Sequence, residues 1–351
     1  MLRSTTAMPH GQIVTSEFVA HPLLRNGHLQ TLWPALMRPT PALDIRRERI
    51  ELPDGDFVDL GWSGEDNSDG PIAILVHGLT GGFESKYLRG LSRQLIAQGW
   101  RTAMLQLRGA GPEPNRTREL YFHGDTADLR HVVKLLRKRE RQTPIAAAGW
   151  SLGANVLLKY MAEEGDRALV SVAAAICAPF RLMACAKRLR EGFSRQYQDS
   201  LLKDLRAMLR RKHAVVPVPD GVNLEGALRA RDFIEFDDAY TAPLHGFRDA
   251  ADYYARCESA QFLKLIRRPT LIVNAADDPF MGPDILPKAR QLAPSVTLEV
   301  ARSGGHVGFV AAGRFGQPVY WLEQHLAQYL VSSIAETHSS HESLVSAEVP
   351  G

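Results

Sequence analysis

Cysteine is scarce in this chain of 351 residues, which contains only Cys177, Cys185 and Cys257. Their spacing does not match that of a zinc site, and three thiols cannot form the disulfide framework of a small secreted domain. We therefore expect a chain that folds in a reducing compartment, the cytoplasm, and that binds no metal ion and no cofactor.

Long hydrophobic runs are also missing. No stretch approaches the roughly 18 uninterrupted apolar residues of a transmembrane helix, and residues 1–10 lack the apolar core of a secretory signal. These absences predict a cytoplasmic protein without a transmembrane segment.

Excess charge of one sign is absent as well. Lys and Arg number 42 against 39 Asp and Glu, which gives a formal net charge of +3. A balance so close to neutral gives no support for nucleic-acid binding. The hydrophobic content of 45% instead suits an enzyme with one large domain and a substantial core.

What the sequence does contain is an alternation of apolar runs and helical patterns. Near-continuous apolar strands that alternate with helices indicate a mostly parallel sheet with helices on both faces. We predict an antiparallel hairpin over residues 45–62, strands at 72–76, 102–106, 144–148, 168–176, 271–274 and 296–300, and helices near 85–98, 126–138, 154–162 and 318–330.

The alternation also divides the chain. We assign residues 1–40 to an N-terminal arm and residues 41–179 and 269–331 to the α/β core. The intervening residues 180–268 are helical in pattern and contain no buried strand, so we predict a helical insertion above the site, called the cap below. The Ser-, Glu- and His-rich tail at residues 332–351 is expected to be disordered.

The most informative motif is G-W-S-L-G at residues 149–153, which follows the apolar run at 144–148 and precedes a helical pattern. This is the G-x-S-x-G nucleophile elbow in its expected strand–turn–helix setting. The turn forces Ser151 into a strained conformation, so only glycine fits closely two residues before and after it. Ser151 is therefore the candidate nucleophile; the alternative is a glycine-bounded turn with an accidental serine.

A candidate acid follows the strand at residues 269–274, where the chain reads A-A-D-D-P. A carboxylate at the end of a buried strand is well placed to orient an imidazole. Alignment of Ala275 with the usual strand-end glycine favours Asp278, immediately before the proline. Asp277 remains the alternative, because the end of a strand is hard to register from sequence.

A candidate base lies in the loop S-G-G-H-V-G-F at residues 303–309, after the last predicted strand. The order serine, acid, histidine is the one found in hydrolases of this architecture. His306 would take the proton of Ser151 and later return it to the leaving group. The carboxylate would fix the imidazole tautomer and stabilise the imidazolium.

The negative charge that develops on the carbonyl oxygen requires hydrogen-bond donors already in place. One would be the backbone N–H of Leu152, directly after the nucleophile. The other would come from the loop H-G-L-T-G-G at residues 77–82, most plausibly the Leu79 N–H. His77 is predicted to have a structural role.

Together these motifs resemble the α/β-hydrolase superfamily and, within it, the YheT-like branch (AB hydrolase 4 family) of esterases and lipases. The resemblance covers about residues 18–329. It is also carried by segments outside the triad, namely R-N-G-H-L-Q-T at 25–31, R-G-A-G at 108–111, residues 121–129 and D-D-P-F at 277–280. The resemblance implies hydrolysis of carboxylic esters, in some members of lipid acyl chains, and in some fungal members acyl transfer to an alcohol. Residues 1–40 show no apolar run like the N-terminal membrane segment of the animal enzymes, so we do not expect a membrane lipid to be the substrate.

Basic residues outnumber acidic ones in the first part of the cap. A basic amphipathic lid in contact with anionic lipid surfaces is one interpretation. The other, which we favour, is a solvated helix face above an ordinary apolar stripe. The basic residues are Arg181, Lys187, Arg188, Arg190, Arg195, Lys203, Arg206, Arg210, Arg211 and Lys212.

Two weaker signals are interpreted as structural. The H-x4-D pattern from His123 to Asp128 resembles one cited for acyltransferases, but Asp125 or Thr126 is better explained as the cap of the following helix. Arg108 is expected to anchor loops by hydrogen bonds.

The sequence therefore predicts a serine esterase that cleaves small-molecule carboxylic esters with short to medium acyl chains, lipid esters included, through an acyl-enzyme. Two alternatives remain open. The same triad could pass the acyl group to an alcohol, or the fold could be a catalytically silent binding protein, against which the intact triad argues.

Overall fold

The structure, a computed structural model, describes residues 10–65 and 68–347 of the chain, with side chains described as far as residue 337. Most of its strands occupy the apolar and β-branched runs of the sequence. They are β1 (Gln12–Thr15), β2 (Arg46–Glu51), β3 (Phe57–Ser63), β4 (Ile72–Val76), β5 (Arg101–Gln106), β6 (Ile145–Trp150), β7 (Val172–Ile176), β8 (Thr270–Ala275), β9 (Val296–Ala301), β10 (Val310–Ala312) and β11 (Pro318–Tyr320).

Nine of the described strands form one twisted sheet in the order β1-β9-β8-β7-β6-β4-β5-β3-β2. Strand β3 pairs antiparallel with β2 and β5, and the other neighbours are parallel. Strands β4, β6 and β7 are buried over their whole length, which explains their near-continuous apolar sequences. The predicted α/β-hydrolase architecture, with a mostly parallel sheet, is confirmed.

Three of the four helices predicted for the core, those near 85–98, 126–138 and 154–162, begin and end within two residues of the predicted positions, whereas the fourth begins at Trp321 and continues to Ala347. The α-helices are α1 (Gly27–Leu36), α2 (Lys86–Ile96), α3 (Ala127–Arg139), α4 (Leu152–Glu164), α5 (Leu182–Arg188), α6 (Ser194–His213), α7 (Leu224–Arg229), α8 (Phe233–Phe236), α9 (Ala242–Leu244), α10 (Ala250–Cys257) and α11 (Trp321–Ala347). A π-helical turn spans Asp237–Thr241, and short 3₁₀ turns lie at Gly165–Arg167, Ser259–Gln261, Leu263–Leu265, Pro283–Ile285, Ala289–Gln291 and Arg314–Gly316.

Residues 180–268 are all described by the structure. They contain α5 to α10 and no strand.

A buried lysine joins this segment to the core. The Lys212 ammonium of α6 donates to Asn115 Oδ1 at 2.7 Å and to the carbonyls of Thr117 and Glu119 at 2.6 and 3.0 Å. Three oxygen acceptors compensate for the loss of water around this charge.

The N-terminal segment is more than the arm that the sequence predicts. Strand β1 pairs in parallel with β9 and extends the main sheet, and α1 lies against the loops at the sheet's carboxyl edge. Residues 13–15 are β-branched and favour a strand, but a run of four residues is too short to be assigned to the sheet from sequence alone. Residues 1–9 lie outside the described part of the chain.

The prediction of a disordered tail from residue 332 is wrong for residues 332–347, which continue α11. Buried apolar side chains with a spacing of four residues explain the continuation as far as Ile334; they are Leu322, Leu326, Leu330 and Ile334. This spacing places them on one helix face, and the following residues extend the same helix. Residues 348–351 lie outside the described part of the chain.

None of the helices in the described part of the chain combines the length and the apolar character that a membrane crossing requires.

Candidate active site

Ser151 lies at the sharp turn between β6 and α4. Its backbone has φ 53° and ψ −117°, a region that residues with a Cβ atom rarely occupy. The turn is held by hydrogen bonds from the Ser151 N–H to the Ile176 carbonyl at 2.8 Å and from the Asn155 N–H to the Ser151 carbonyl at 3.1 Å. The motif therefore adopts the elbow geometry that its sequence predicts.

The two flanking glycines are required by close backbone contacts. A Cβ atom on Gly149 would lie 2.4 Å from the Gly153 carbonyl oxygen, and one on Gly153 would lie 2.4 Å from the Val76 carbonyl oxygen. Real Cβ contacts are never so short, so any larger residue would push β4, β6 and α4 apart.

His306 bridges the serine and an aspartate. Its Nε2 atom lies 3.0 Å from Ser151 Oγ, and its Nδ1 atom lies 2.8 Å from Asp278 Oδ2. The His306 and Asp278 side chains are almost inaccessible to solvent. Three residues from three separate loops thus form one hydrogen-bonded chain at the carboxyl edge of the sheet.

The two adjacent aspartates have different partners. Asp278 accepts the Phe280 N–H at 2.8 Å through its second oxygen, whereas Asp277 accepts the Gly305 N–H at 2.9 Å. Burial raises the pKa of Asp277. The structure brings Asp278 to His306 and leaves Asp277 as a tie between the two loops, in agreement with the register that the sequence favours.

The loop after β4 reaches the elbow. A Cβ atom on Gly78 would lie 3.2 Å from the Ser151 Cβ atom, so the backbone passes directly beside the serine. Leu79 lines the same cavity as Ser151, and Leu152 is the first residue of α4. Both predicted oxyanion donors therefore belong to segments adjacent to Ser151.

His77 joins the ends of two strands. Its Nδ1 atom lies 2.7 Å from the Gly78 carbonyl, and its Nε2 atom accepts the Leu107 N–H at 3.1 Å. Complete burial lowers the pKa of His77 to about 4, which keeps the ring neutral. These contacts suit the structural role predicted for this residue.

Ser151 and His306 open into a largely apolar cavity of about 430 Å³, within the range of roughly 300–1,000 Å³ typical of small-molecule sites. Its walls come from α1, α2, α11 and the helices of residues 180–268. The last group contributes Leu182, Cys185, Ala186, Leu189, Leu201, Phe233, Asp237 and Tyr254.

The H-x4-D pattern does not form a second reactive site. Arg108 donates to both oxygens of Asp128 at 3.0 and 2.6 Å. His123 Nδ1 lies 2.8 Å from the Tyr253 hydroxyl, and burial lowers its pKa to about 4. Asp125 accepts the N–H groups of Ala127 and Asp128 in the first turn of α3, while Thr126 occupies the N-cap position.

One group in the described part of the chain has the spacing of metal ligands. The Cys177 sulfur and ligand atoms of Asp278 and His306 all lie within 4.8 Å of one another. Burial raises the pKa of the Cys177 thiol well above its ordinary value, and a protonated thiol is a poor ligand. The geometry is that of a hydrogen-bond network, in which Cys177 accepts the Val307 N–H at 3.3 Å.

Two residues around His306 escaped the sequence analysis as parts of the site. The Phe280 ring stacks on the imidazole with centroids 3.9 Å apart and planes 9° from parallel. The Thr31 hydroxyl accepts the His306 N–H at 2.8 Å. Both belong to segments that carry the family resemblance, which was the available signal.

The basic residues of the cap are mostly exposed, with Lys212 as the buried exception, and the interleaved apolar residues are mostly buried. Phe193 is an exposed apolar side chain in this stretch. This arrangement favours the solvated helix face. Contact of the cap with a membrane stays a prediction.

The fold and this constellation define the class of protein. The chain belongs to the α/β-hydrolase fold family, whose model matches residues 71–312. Within it the chain belongs to the YheT-like branch: YheT of Escherichia coli (strain K12) is 38% identical over 335 residues, which are 95% of this chain and 98% of that protein.

Other relatives extend the comparison. The medium-chain fatty acid ethyl ester synthase/esterase 2 of Saccharomyces cerevisiae is 30% identical over 69% of this chain and 58% of its own length. Human phospholipase ABHD3 is 25% identical over 94% of this chain and 82% of its own length. The Pyrococcus furiosus esterase Pf2001 has a similar fold, with a TM-score of 0.54 and 15% identity over 83% of this chain and 91% of that one.

Proposed function

We propose that this chain is a serine esterase that cleaves small-molecule carboxylic esters through an acyl-enzyme intermediate. The observation that supports this proposal best is the hydrogen-bonded chain Ser151–His306–Asp278 at the floor of an apolar cavity. Ester chemistry also agrees with the names of relatives, which include an ester synthase/esterase, a phospholipase and a monoacylglycerol lipase.

In the proposed first step, Ser151 Oγ attacks the ester carbonyl while His306 Nε2 takes the hydroxyl proton. A serine hydroxyl is a weak nucleophile near pH 7, so this base is required. Asp278 holds the Nδ1 proton and stabilises the imidazolium. The N–H groups of Leu79 and Leu152 stabilise the oxyanion, each donor contributing about 3–4 kcal/mol to the transition state.

The imidazolium then protonates the leaving alcohol, which departs and leaves the acyl group on Ser151. Water enters, His306 takes one of its protons, and attack on the acyl-enzyme releases the acid. His306 returns this proton to Ser151 Oγ, which restores the enzyme.

The cavity suggests the class of ester. Its walls are mainly apolar, and much of that surface comes from residues 180–268, so we propose that this segment is a cap that accommodates the acyl chain. The volume of about 430 Å³ suits short to medium acyl chains, lipid esters included.

Acyl transfer is the second candidate, because one relative is named as both a synthase and an esterase. The two functions differ only in the molecule that attacks the acyl-enzyme. The ratio of acid to new ester, measured with increasing ethanol, distinguishes them. A transferase would give mainly the new ester even when the ethanol concentration is far below that of water.

The nucleophile supplies the main test. Ser151→Ala should abolish labelling by a fluorophosphonate probe and lower ester turnover by several orders of magnitude, because it removes the covalent route while disturbing little packing. Labelling of the purified protein, followed by mass spectrometry of the modified peptide, and hydrolysis of p-nitrophenyl esters are the measurements.

Ser171→Ala is a matched control, since this serine precedes β7 and does not line the cavity; it should label normally. A folded Ser151→Ala protein with undiminished hydrolysis would place the active site elsewhere.

A further inference from the structure

The N-terminal helix α1 docks directly against the two loops that carry Asp278 and His306. A Cβ atom on Gly27 would lie 2.1 Å from the Asp277 carbonyl oxygen. In the loop that carries His306, a Cβ atom on Gly305 would lie 2.4 Å from the Gly27 carbonyl oxygen, and one on Gly308 would lie 2.1 Å from the Gln30 carbonyl oxygen. Three glycines thus permit backbone-to-backbone contact between the helix and the loops, which a Cβ atom at any of the three positions would disturb.

The loop that carries His306 needs such external support. Val307 and Phe309 have positive φ values of 64° and 45°, which are costly for residues with a Cβ atom, most of all for a β-branched valine. A backbone in this conformation persists only where surrounding contacts determine it.

Two side chains of α1 provide these contacts. The buried Gln30 amide fixes the far end of the loop: its Oε1 atom accepts the Val310 N–H at 2.6 Å and its Nε2 atom donates to the Val310 carbonyl at 3.0 Å. Thr31 fixes His306 itself, because its Oγ1 atom accepts the His306 N–H at 2.8 Å.

The direction of the Thr31 hydroxyl is set within the helix. Its proton is donated to the Gly27 carbonyl at 2.7 Å, a local bond that threonine often makes in helices. The oxygen therefore presents a lone pair to the His306 N–H. Thr31 also lines the cavity beside Ser151 and His306, so it lies at the site and is not a remote packing residue.

We propose that Thr31 is a positioning residue for the esterase reaction, in which its hydroxyl oxygen holds the His306 backbone so that the imidazole stays between Ser151 and Asp278. This inference rests on the proposed function. It assigns a role to the segment at residues 25–31, which the triad does not account for. A displaced imidazole loses both hydrogen bonds at once, so the effect falls on proton transfer and not on substrate binding.

Thr31→Val tests the role of the hydroxyl, since valine has nearly the same shape and cannot accept the His306 N–H. We expect kcat for a p-nitrophenyl ester to fall about tenfold or more, with KM changed less than about twofold. The rate of fluorophosphonate labelling per active site should fall by the same factor, because labelling needs the same activation of Ser151. Thr31→Ser, which keeps the hydroxyl, should recover most of the rate.

Leu29→Ala is the matched control on the same helix, because the Leu29 side chain is exposed and does not line the cavity; kcat and labelling should stay at the wild-type values. Active-site titration counts the active molecules, and the thermal midpoint Tm reports their stability. Together they distinguish an effect on the position of His306 from an effect on folding. A Thr31→Val protein with wild-type kcat per titrated site, or one that loses only Tm, would overturn the proposal. If Ser151→Ala retained activity, the proposed function would fail instead.

Discussion

Asp277 and Asp278 are neighbours with identical side chains, yet the structure gives them different partners. Asp278 contacts the His306 imidazole, and Asp277 contacts the Gly305 backbone. Asp278 also accepts the Phe280 N–H, so the two carboxylates share no partner in these hydrogen bonds. Replacement of one carboxylate should therefore have a different effect from replacement of the other.

We expect Asp278→Asn to lower kcat by about 10⁴, because the amide would favour the wrong imidazole tautomer. Asp277→Asn keeps an oxygen that can accept the Gly305 N–H and should cost far less. Steady-state kinetics of both variants on one ester is the measurement. An exchange of these two effects between the variants would show that the acid is Asp277.

At this scale, the sequence was informative wherever a residue belongs to a motif with its own local geometry. The placement of Ser151, His306 and Asp278 next to one another follows from strand ends and glycine positions in the sequence, and their catalytic roles stay predictions. Thr31 and Phe280 could not, because neither side chain belongs to a motif that carries chemistry of its own, and their contacts with His306 arise only from the way the segments pack in the fold. No local pattern encodes such a contact.

The strand–turn–helix element around Ser151 depends on glycines that allow three backbone segments to pack in direct contact. Gly153→Ala would place a methyl group 2.4 Å from the Val76 carbonyl oxygen and 2.5 Å from that of His77. Neither atom belongs to a flexible side chain, so β4 and α4 must move apart.

We expect Gly153→Ala to lower the free energy of unfolding by about 3 kcal/mol and to reduce fluorophosphonate labelling of the folded fraction. Urea denaturation gives the first quantity. Gly111→Ala is the control, since a Cβ atom there would meet its nearest neighbour at 3.6 Å and should change stability by less than about 0.5 kcal/mol. Equal stability of the two variants would contradict the steric argument.

At the level of elements, the buried strands were the most predictable, because continuous apolar runs between turn residues have few alternative interpretations. The exposed strand β1 and the end of α11 were missed. Strand β1 is stabilised by pairing with β9, and α11 is packed against the core as far as Ile334 by buried apolar side chains spaced four residues apart. Both depend on tertiary contacts more than on composition.

At the scale of the whole molecule, a cavity lies between the α/β core and residues 180–268. Because a buried methylene contributes about 0.8 kcal/mol, catalytic efficiency should increase about fourfold per methylene as the acyl chain lengthens, until the cavity is filled. A series of p-nitrophenyl esters from acetate upward measures this. A flat series would show that the cavity does not bind the acyl chain.

The same series tests the proposed cap. Leu189 lines the cavity, so Leu189→Trp should shorten the preferred acyl chain while hydrolysis of the acetate ester continues. Val215→Trp is the control, because Val215 is exposed on the same segment and does not line the cavity. Equal losses on long and short esters for Leu189→Trp would assign specificity to the core loops.

The two edges of the main sheet differ in their resistance to pairing with another chain. Strand β2, at one edge, has the sequence R-R-E-R-I-E, and a row of charges opposes the approach of a second strand. Strand β1, at the other edge, has Ile13 and Val14 exposed and only four residues. Under conditions that loosen the N-terminal segment, β9 would become the open edge, so aggregation of this protein should start from the β9 side of the sheet.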